Sequence, residues 1–224
     1  MLWRRLVGAK IDLPVSVVYR GAVSATSDAT THTFSSVNFG VDAQNRYLVF
    51  LVTYTRTSYA TAATLTVNGI AATKHVFRNN AGGDNITATA IYSVKVEGTS
   101  GTVVSTNVSA GGSHRVVIGV YSMYNANSNT PVATNTARAT SGSVSVSGAA
   151  GGAIFAVSGQ RGSGAVNFRG AGAFNLTNTA GTYTVNYTRS DTTSLSGAVT
   201  QNYNLQTTTT GSSDPTVVCV ATFV

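Results

Sequence analysis

The sequence predicts an all-β fold: an antiparallel β-sandwich of jelly-roll type behind an extended N-terminal arm. Three observations carry this. Short runs of β-branched and aromatic residues recur along all 224 residues, either alternating with polar residues or apolar throughout. Clusters of Gly, Asn, Asp and Pro fall between them. Helical periodicity is almost absent. Many short strands with frequent turns indicate packed antiparallel sheets rather than an α/β fold.

The expected strands follow in chain order. VSVVYR (15–20) and HTFSSVNF (32–39) mix β-branched and aromatic residues with polar ones, and RYLVFLVTYT (46–55) is the first long apolar run. ATLTVN (63–68) and ATKHVFR (72–78) flank Asn68-Gly69, a hairpin signal because a type I′ turn needs positive φ at both centres. ITATAIYSVKVE (86–97) is bracketed by GGDN and GTSG, and TVVSTNVS (102–109) and HRVVIGVYSM (114–123) follow. SVSVS (143–147) alternates, GAIFAVSG (152–159) is apolar, and AVNFR (165–169), TYTVNYTR (182–189) and LSGAVTQNYN (195–204) come next. Asp214-Pro215 introduces TVVCVATF (216–223). Four runs, YLVFLV, RVVIGVY, GAIFAV and TVVCVATFV, are apolar on both faces and belong in the centre of packed sheets; the alternating runs have one wet face.

The expected organisation is an arm over residues 1–24 and one sandwich domain over 25–224. The alternative is two β subdomains split near 125–142, where NANSNTPVATNTARATSG lacks apolar runs. YLVFLVTYTR and GAIFAVSGQR hint at two related halves.

Only 9% of residues are charged, against about 25% in ordinary soluble domains. Thr, Ser, Asn and Gly carry the polar load. The net charge is +7, from 14 cations and seven acids. Most arginines stand alone, and only Arg4 and Arg5 are adjacent. A nucleic-acid site would gather them into a patch, so a mildly basic surface facing an acidic neighbour is expected, with no nucleic-acid partner. The single cysteine, Cys219, excludes an internal disulfide and reads as a small buried hydrophobe.

Catalytic spacing is missing. His32, His75 and His114 stand far apart and read as strand-edge or surface residues, with no metal-ligand spacing. No two acids lie within four residues, and neither a nucleophile elbow nor a phosphate loop is present. A pair of carboxylates from distant strands would be the only route to a glycan hydrolase. No catalytic residue, metal or cofactor is expected.

Two segments suggest binding. MLWRRLVGAK opens the chain with its only tryptophan. Leu2, Trp3, Arg4, Arg5, Leu6 and Lys10 form a basic, apolar segment whose ordering needs a partner surface, and they are the candidate anchoring residues. Lys10 and Asp12 interrupt the apolar region a signal peptide requires, and no run is long enough for a membrane helix. YSMYNANSNTP (121–131) follows a central strand. It supplies Tyr121, Tyr124, Asn125 and Asn127, which with Tyr59 are candidate glycan or interface contacts, since tyrosine joins a flat apolar face to a hydroxyl.

The order HTFSSVNFG, RYLVFLV, TLTVNGIAA, AIYSVKVEGTSGTVVSTN, RVVIGVYSMYNANSNTPV, GGAIFAVSG and a terminal apolar strand resembles small β-sandwich proteins encoded among the structural genes of tailed bacteriophages. The resemblance spans roughly residues 25–224 and contains no catalytic signature. It implies a non-enzymatic virion accessory protein that decorates the capsid or forms part of the tail. Its expected partners are neighbouring virion subunits and its own copies in a homo-oligomer, with no membrane. Such a protein is assembled in the host cytoplasm and works in the virion. A carbohydrate-binding or adhesin-like module recognising a host surface glycan is the alternative.

Overall fold

A computed structural model describes residues 13–56, 63–80, 86–107, 112–139, 142–149, 151–161, 166–169, 174–180, 183–191, 201–209 and 216–224. The described residues form seventeen strands and no helix. The first nine are β1 (Ser16–Ala29), β2 (Thr31–Asn38), β3 (Arg46–Arg56), β4 (Thr64–Val67), β5 (Ile70–Ala71), β6 (Thr73–Asn79), β7 (Ile86–Val94), β8 (Ser100–Thr106) and β9 (His114–Tyr124). The rest are β10 (Ala133–Ala139), β11 (Gly142–Gly148), β12 (Ala153–Arg161), β13 (Val166–Arg169), β14 (Phe174–Ala180), β15 (Tyr183–Asp191), β16 (Gln201–Thr209) and β17 (Thr216–Phe223).

Pairing is antiparallel and nested. In the first half β1 pairs with β9, β2 with β8, β3 with β7 and β4 with β5. Successive pairs go to opposite sheets, giving the orders β1-β9-β3-β7-β6 and β2-β8-β4-β5. A long hairpin wrapped in this way is a jelly roll. The second half repeats the scheme, with β10 on β17, β11 on β16 and β12 on β15. Its sheets are β10-β17-β12-β15-β14 and β11-β16-β13. No sheet mixes strands from the two sides of residues 125–132.

The four sheets stack as layers around three cores. Leu48, Phe50, Val52 and Tyr54 of β3 point into the first core, towards β2-β8-β4-β5. Val49 and Leu51 point the other way, into a middle core shared with Phe155, Val157, Cys219 and Phe223. Ile154, Ala156, Val218 and Val220 fill the third core with Val144 and Val146 of β11. The four runs apolar on both faces are thus β3, β9, β12 and β17, and each lies inside a middle sheet. Asn68 and Gly69 have φ of 50° and 80°, as the hairpin turn between β4 and β5 requires.

Five features differ from the sequence reading. Residues 16–24, grouped with the arm, belong to β1, and Val15 and Val17 beside its start are buried in the middle core. ATNTARA and FNLTNTA, expected as connecting segments, are β10 and β14. Both are edge strands, which need less apolar surface than central ones. β5 is a separate two-residue strand, and β16 covers Gln201–Thr209 in place of the expected 195–204, residues 195–200 lying outside the described residues. YLVFLVTYTR and GAIFAVSGQR do supply equivalent strands, β3 and β12, but their likeness does not fit the packing. Setting Phe50 on Phe155 places Val49 and Leu51 of the middle core on Ile154 and Ala156 of the outer one, a one-residue slip that reverses every side chain.

Candidate functional site

The nested pairing brings the starts of β1 and β3 and the ends of β9 and β17 to one end of the middle sheets. Ser16 and Arg46 both pair with Tyr124. The Asn127 amide donates to the Val224 carbonyl at 2.8 Å, and the Val15 amide to Gly151 at 2.7 Å. The chain enters the fold here, and its last residue lies here too.

Arginine side chains organise this end. Arg46, 1% exposed, heads β3. Its guanidinium donates to the carbonyls of Val96 at 2.7 Å, Val41 at 3.1 Å and Gly40 at 3.3 Å, and pairs with Asp42 at 3.3 Å. The Asp42 carboxylate also accepts from the Gly98 amide at 2.7 Å. One buried cation therefore ties loop 40–42 to the segment after β7. On the other side, Arg20 donates to the hydroxyls of Ser122 and Tyr124, each at 2.9 Å. Those hydroxyls donate in turn to the carbonyls of Phe39 at 2.6 Å and Val41 at 2.9 Å. Gly40 has φ of 73°, and a Cβ there would lie 2.1 Å from Arg20 Cζ, so glycine lets the guanidinium cross the loop.

Beside the clamped loop is an open depression of about 830 Å³ lined by Asp42, Ala43, Gln44, Ile70, Lys95, Val96 and Glu97. It brings two of the dispersed acids together, but Asp42 is engaged by Arg46 and Gly98. Lys95 lies over the Tyr47 ring at 5.9 Å. The described residues contain no group of three or more His, Cys, Asp or Glu able to hold a metal ion. Among the described residues the exposed large apolar side chains are Leu13, Val41, Ile70 and Val132, at 50% to 72% exposure. Val41 is on the clamped loop and Ile70 lines the depression. Leu13 precedes Pro14, whose carbonyl accepts from Asn125, and the Val132 amide donates to Thr222 near the end of β17. All four therefore gather at the end where the chain enters.

The residues singled out from sequence are distributed unevenly. Leu2, Trp3, Arg4, Arg5, Leu6, Lys10 and Tyr59 lie outside the described residues. Tyr121 is fully buried, with its ring 5.2 Å from Tyr19 and 5.7 Å from Phe155, so it belongs to the middle core and presents nothing to a ligand. Tyr124, Asn125 and Asn127 do come together here. Asn125, at φ 63°, accepts from Asn45 at 2.7 Å and donates to Pro14 at 3.2 Å. Sequence reasoning missed Asp42, Ile70, Lys95 and Glu97, which come from three separate places in the chain, only Lys95 and Glu97 being close in sequence. Arg46 left one trace, a charge at the head of a long apolar run.

Two histidines depart from the surface placement expected of them. His32 is 7% exposed and His114 fully buried, with ring centroids 4.8 Å apart. His114 Nδ1 donates to the Ala29 carbonyl at 3.0 Å, and its Nε2 meets Ser105 Oγ at 3.0 Å. His32 Nε2 donates to the His114 carbonyl at 2.6 Å. The pair fastens the β1–β2 corner to β9.

These features define the class: an all-β protein of two tandem jelly rolls, with its exposed apolar side chains and an arginine-clamped loop at the end where the chain enters. No family model matches the chain, and neither curated proteins nor solved structures provide a match.

Proposed function

We propose that the protein is a non-enzymatic structural component of a bacteriophage virion, decorating the capsid or forming part of the tail, and held in place by the end from which residues 1–12 emerge. One observation carries the attachment: Leu13, Val41, Ile70 and Val132 are exposed, each on a segment bonded into or lining that end. The arm preceding them contributes Trp3 and Leu6 for apolar pockets on the neighbour, and Arg4 and Arg5 for its acidic groups; buried aromatic and arginine residues are the usual hot spots. The virion assignment rests on the resemblance in strand order, and assembly takes place in the host cytoplasm. The low charge fraction is consistent with a scaffold.

Glycan recognition has less support. Tyr121 is buried, and the Tyr124 hydroxyl is engaged by Arg20 and the Val41 carbonyl. The test is binding of the purified chain to virions prepared without it. Trp3→Ala is expected to weaken attachment by about 2 kcal/mol or more with an unchanged thermal melt. The reading fails if the protein is absent from purified particles, if the melt falls in step with binding, or if it binds a glycan array reproducibly and particles not at all.

A further inference from the structure

We infer that the chain is a tethered two-fold dimer of jelly rolls: its two middle sheets are self-complementary docking faces, each fitted to a jelly roll of the same strand order. Residues 125–132 tether the halves, and the faces hold them together.

The argument begins with strand equivalence. Nested pairing makes β1, β3, β6, β7 and β9 the counterparts of β10, β12, β14, β15 and β17, in the same order across the sheet. All but one of the main contacts between the two middle sheets exchange under this correspondence. β7 packs on β12, and β3 packs on β15. β6 packs on β10 and β17, and β14 packs on β1 and β9. β3 and β12, counterparts of each other, meet directly; the β7–β17 contact is the exception, with no reciprocal β9–β15 contact of similar extent. If strand i meets the counterpart of j, strand j meets the counterpart of i. That is the signature of an isologous contact, which a two-fold axis generates. The strand directions agree with it, since β1 and β10, and β3 and β12, all begin at the same end of the middle sheets.

The faces are built to be covered. Val49, Leu51, Ile91 and Val117 of the first half, and Phe155, Val157, Cys219 and Phe223 of the second, are all fully buried in the middle core. Close approach is designed in: a Cβ on Gly159 would lie 2.4 Å from Thr53 Cγ2, and Thr89 Oγ1 donates to Cys219 Sγ at 3.2 Å across the interface. Without its partner, either half would present an apolar sheet face to water.

The test keeps the full chain. A protease recognition sequence is inserted between Asn127 and Ser128, or between Thr130 and Pro131 where the first insertion lowers the melting midpoint, and the folded protein is cleaved there. The two fragments are expected to co-elute at the uncut volume on size exclusion. After unfolding and refolding with an excess of isotopically labelled first-half fragment, the label is expected to appear in the complex. Fragments that separate on dilution, or an insertion-tolerant chain that aggregates once cut, would overturn the inference. Failure of virion binding bears only on the proposed function and leaves this result untouched.

Discussion

Gly159→Ala is the sharpest probe of how closely the middle sheets approach. The added methyl would sit 2.4, 2.9 and 3.2 Å from the Cγ2 atoms of Thr53, Thr87 and Thr89. Threonine is stiff at χ1, and Thr53 also donates its hydroxyl to the Ser158 carbonyl at 3.4 Å. Its methyl cannot turn aside without moving that oxygen. Replacing a strand glycine by alanine in open space gains roughly 0.5–1 kcal/mol, whereas overfilling a packed core costs about 1–3 kcal/mol. The overlap here involves three β-branched side chains, so the cost wins. Urea unfolding should show a net loss of about 1–2 kcal/mol, and thermal melts a fall of about 2–4 °C per kcal/mol for a chain of this size. Thr53→Ser removes the nearest methyl and keeps the hydroxyl. The double variant should regain stability relative to Gly159→Ala, with a coupling of about 0.5 kcal/mol or more. A neutral or stabilising Gly159→Ala, or strictly additive changes, would refute the described packing.

Two further substitution and labelling experiments test other parts of the fold. Arg46→Ala leaves the carbonyls of Gly40, Val41 and Val96 without their shared donor, and the expected loss is about 3–5 kcal/mol in chemical denaturation; a loss below about 1 kcal/mol would mean that the clamp is not formed. Cys219 is fully buried, and burial, opposed by the Thr89 hydroxyl, pushes its thiol up to about 12. A thiol reagent at neutral pH should therefore react only as fast as the chain opens, and rapid stoichiometric labelling of the native protein would contradict its placement.

The fold was largely legible because burial leaves a direct mark on strands. A strand with sheets on both faces must be apolar on both, and β3, β9, β12 and β17 announced themselves as YLVFLV, RVVIGVY, GAIFAV and TVVCVATFV. Edge strands leave a weaker mark. In ATNTARA, Ala133 and Ala137 pack only partly against the third core, so β10 has the composition of a loop. The surface at the end where the chain enters was less legible still. Asp42, Ile70 and Glu97 become neighbours only through nested pairing, and no window of sequence contains that pairing. Tyr121 and Tyr124 show the limit from the other side. Three residues apart and both on β9, they alternate faces, so one enters the middle core and the other reaches the Arg20 network.

The isolated arginines acquire a reason once the sheet orders are known. An edge strand exposes unpaired backbone groups that invite another strand to add, and a charged side chain is a common defence. β1 and β6 are the edges of one middle sheet, and they carry Arg20 with Asp28 and Lys74 with Arg78. β10, an edge of the other, carries Arg138, and β13, an edge of the outer sheet of the second half, carries Arg169. By contrast β2, β4, β5 and β8, which make up the entire outer sheet of the first half, contain no Asp, Glu, Lys or Arg. Charge is thus spent largely on edges and on strand ends such as Arg46 and Arg115. Charge on β1, β6, β10 and β13 guards those four edges against strand addition, whereas the edges β2, β5, β11 and β14 carry none and rely on being short or polar.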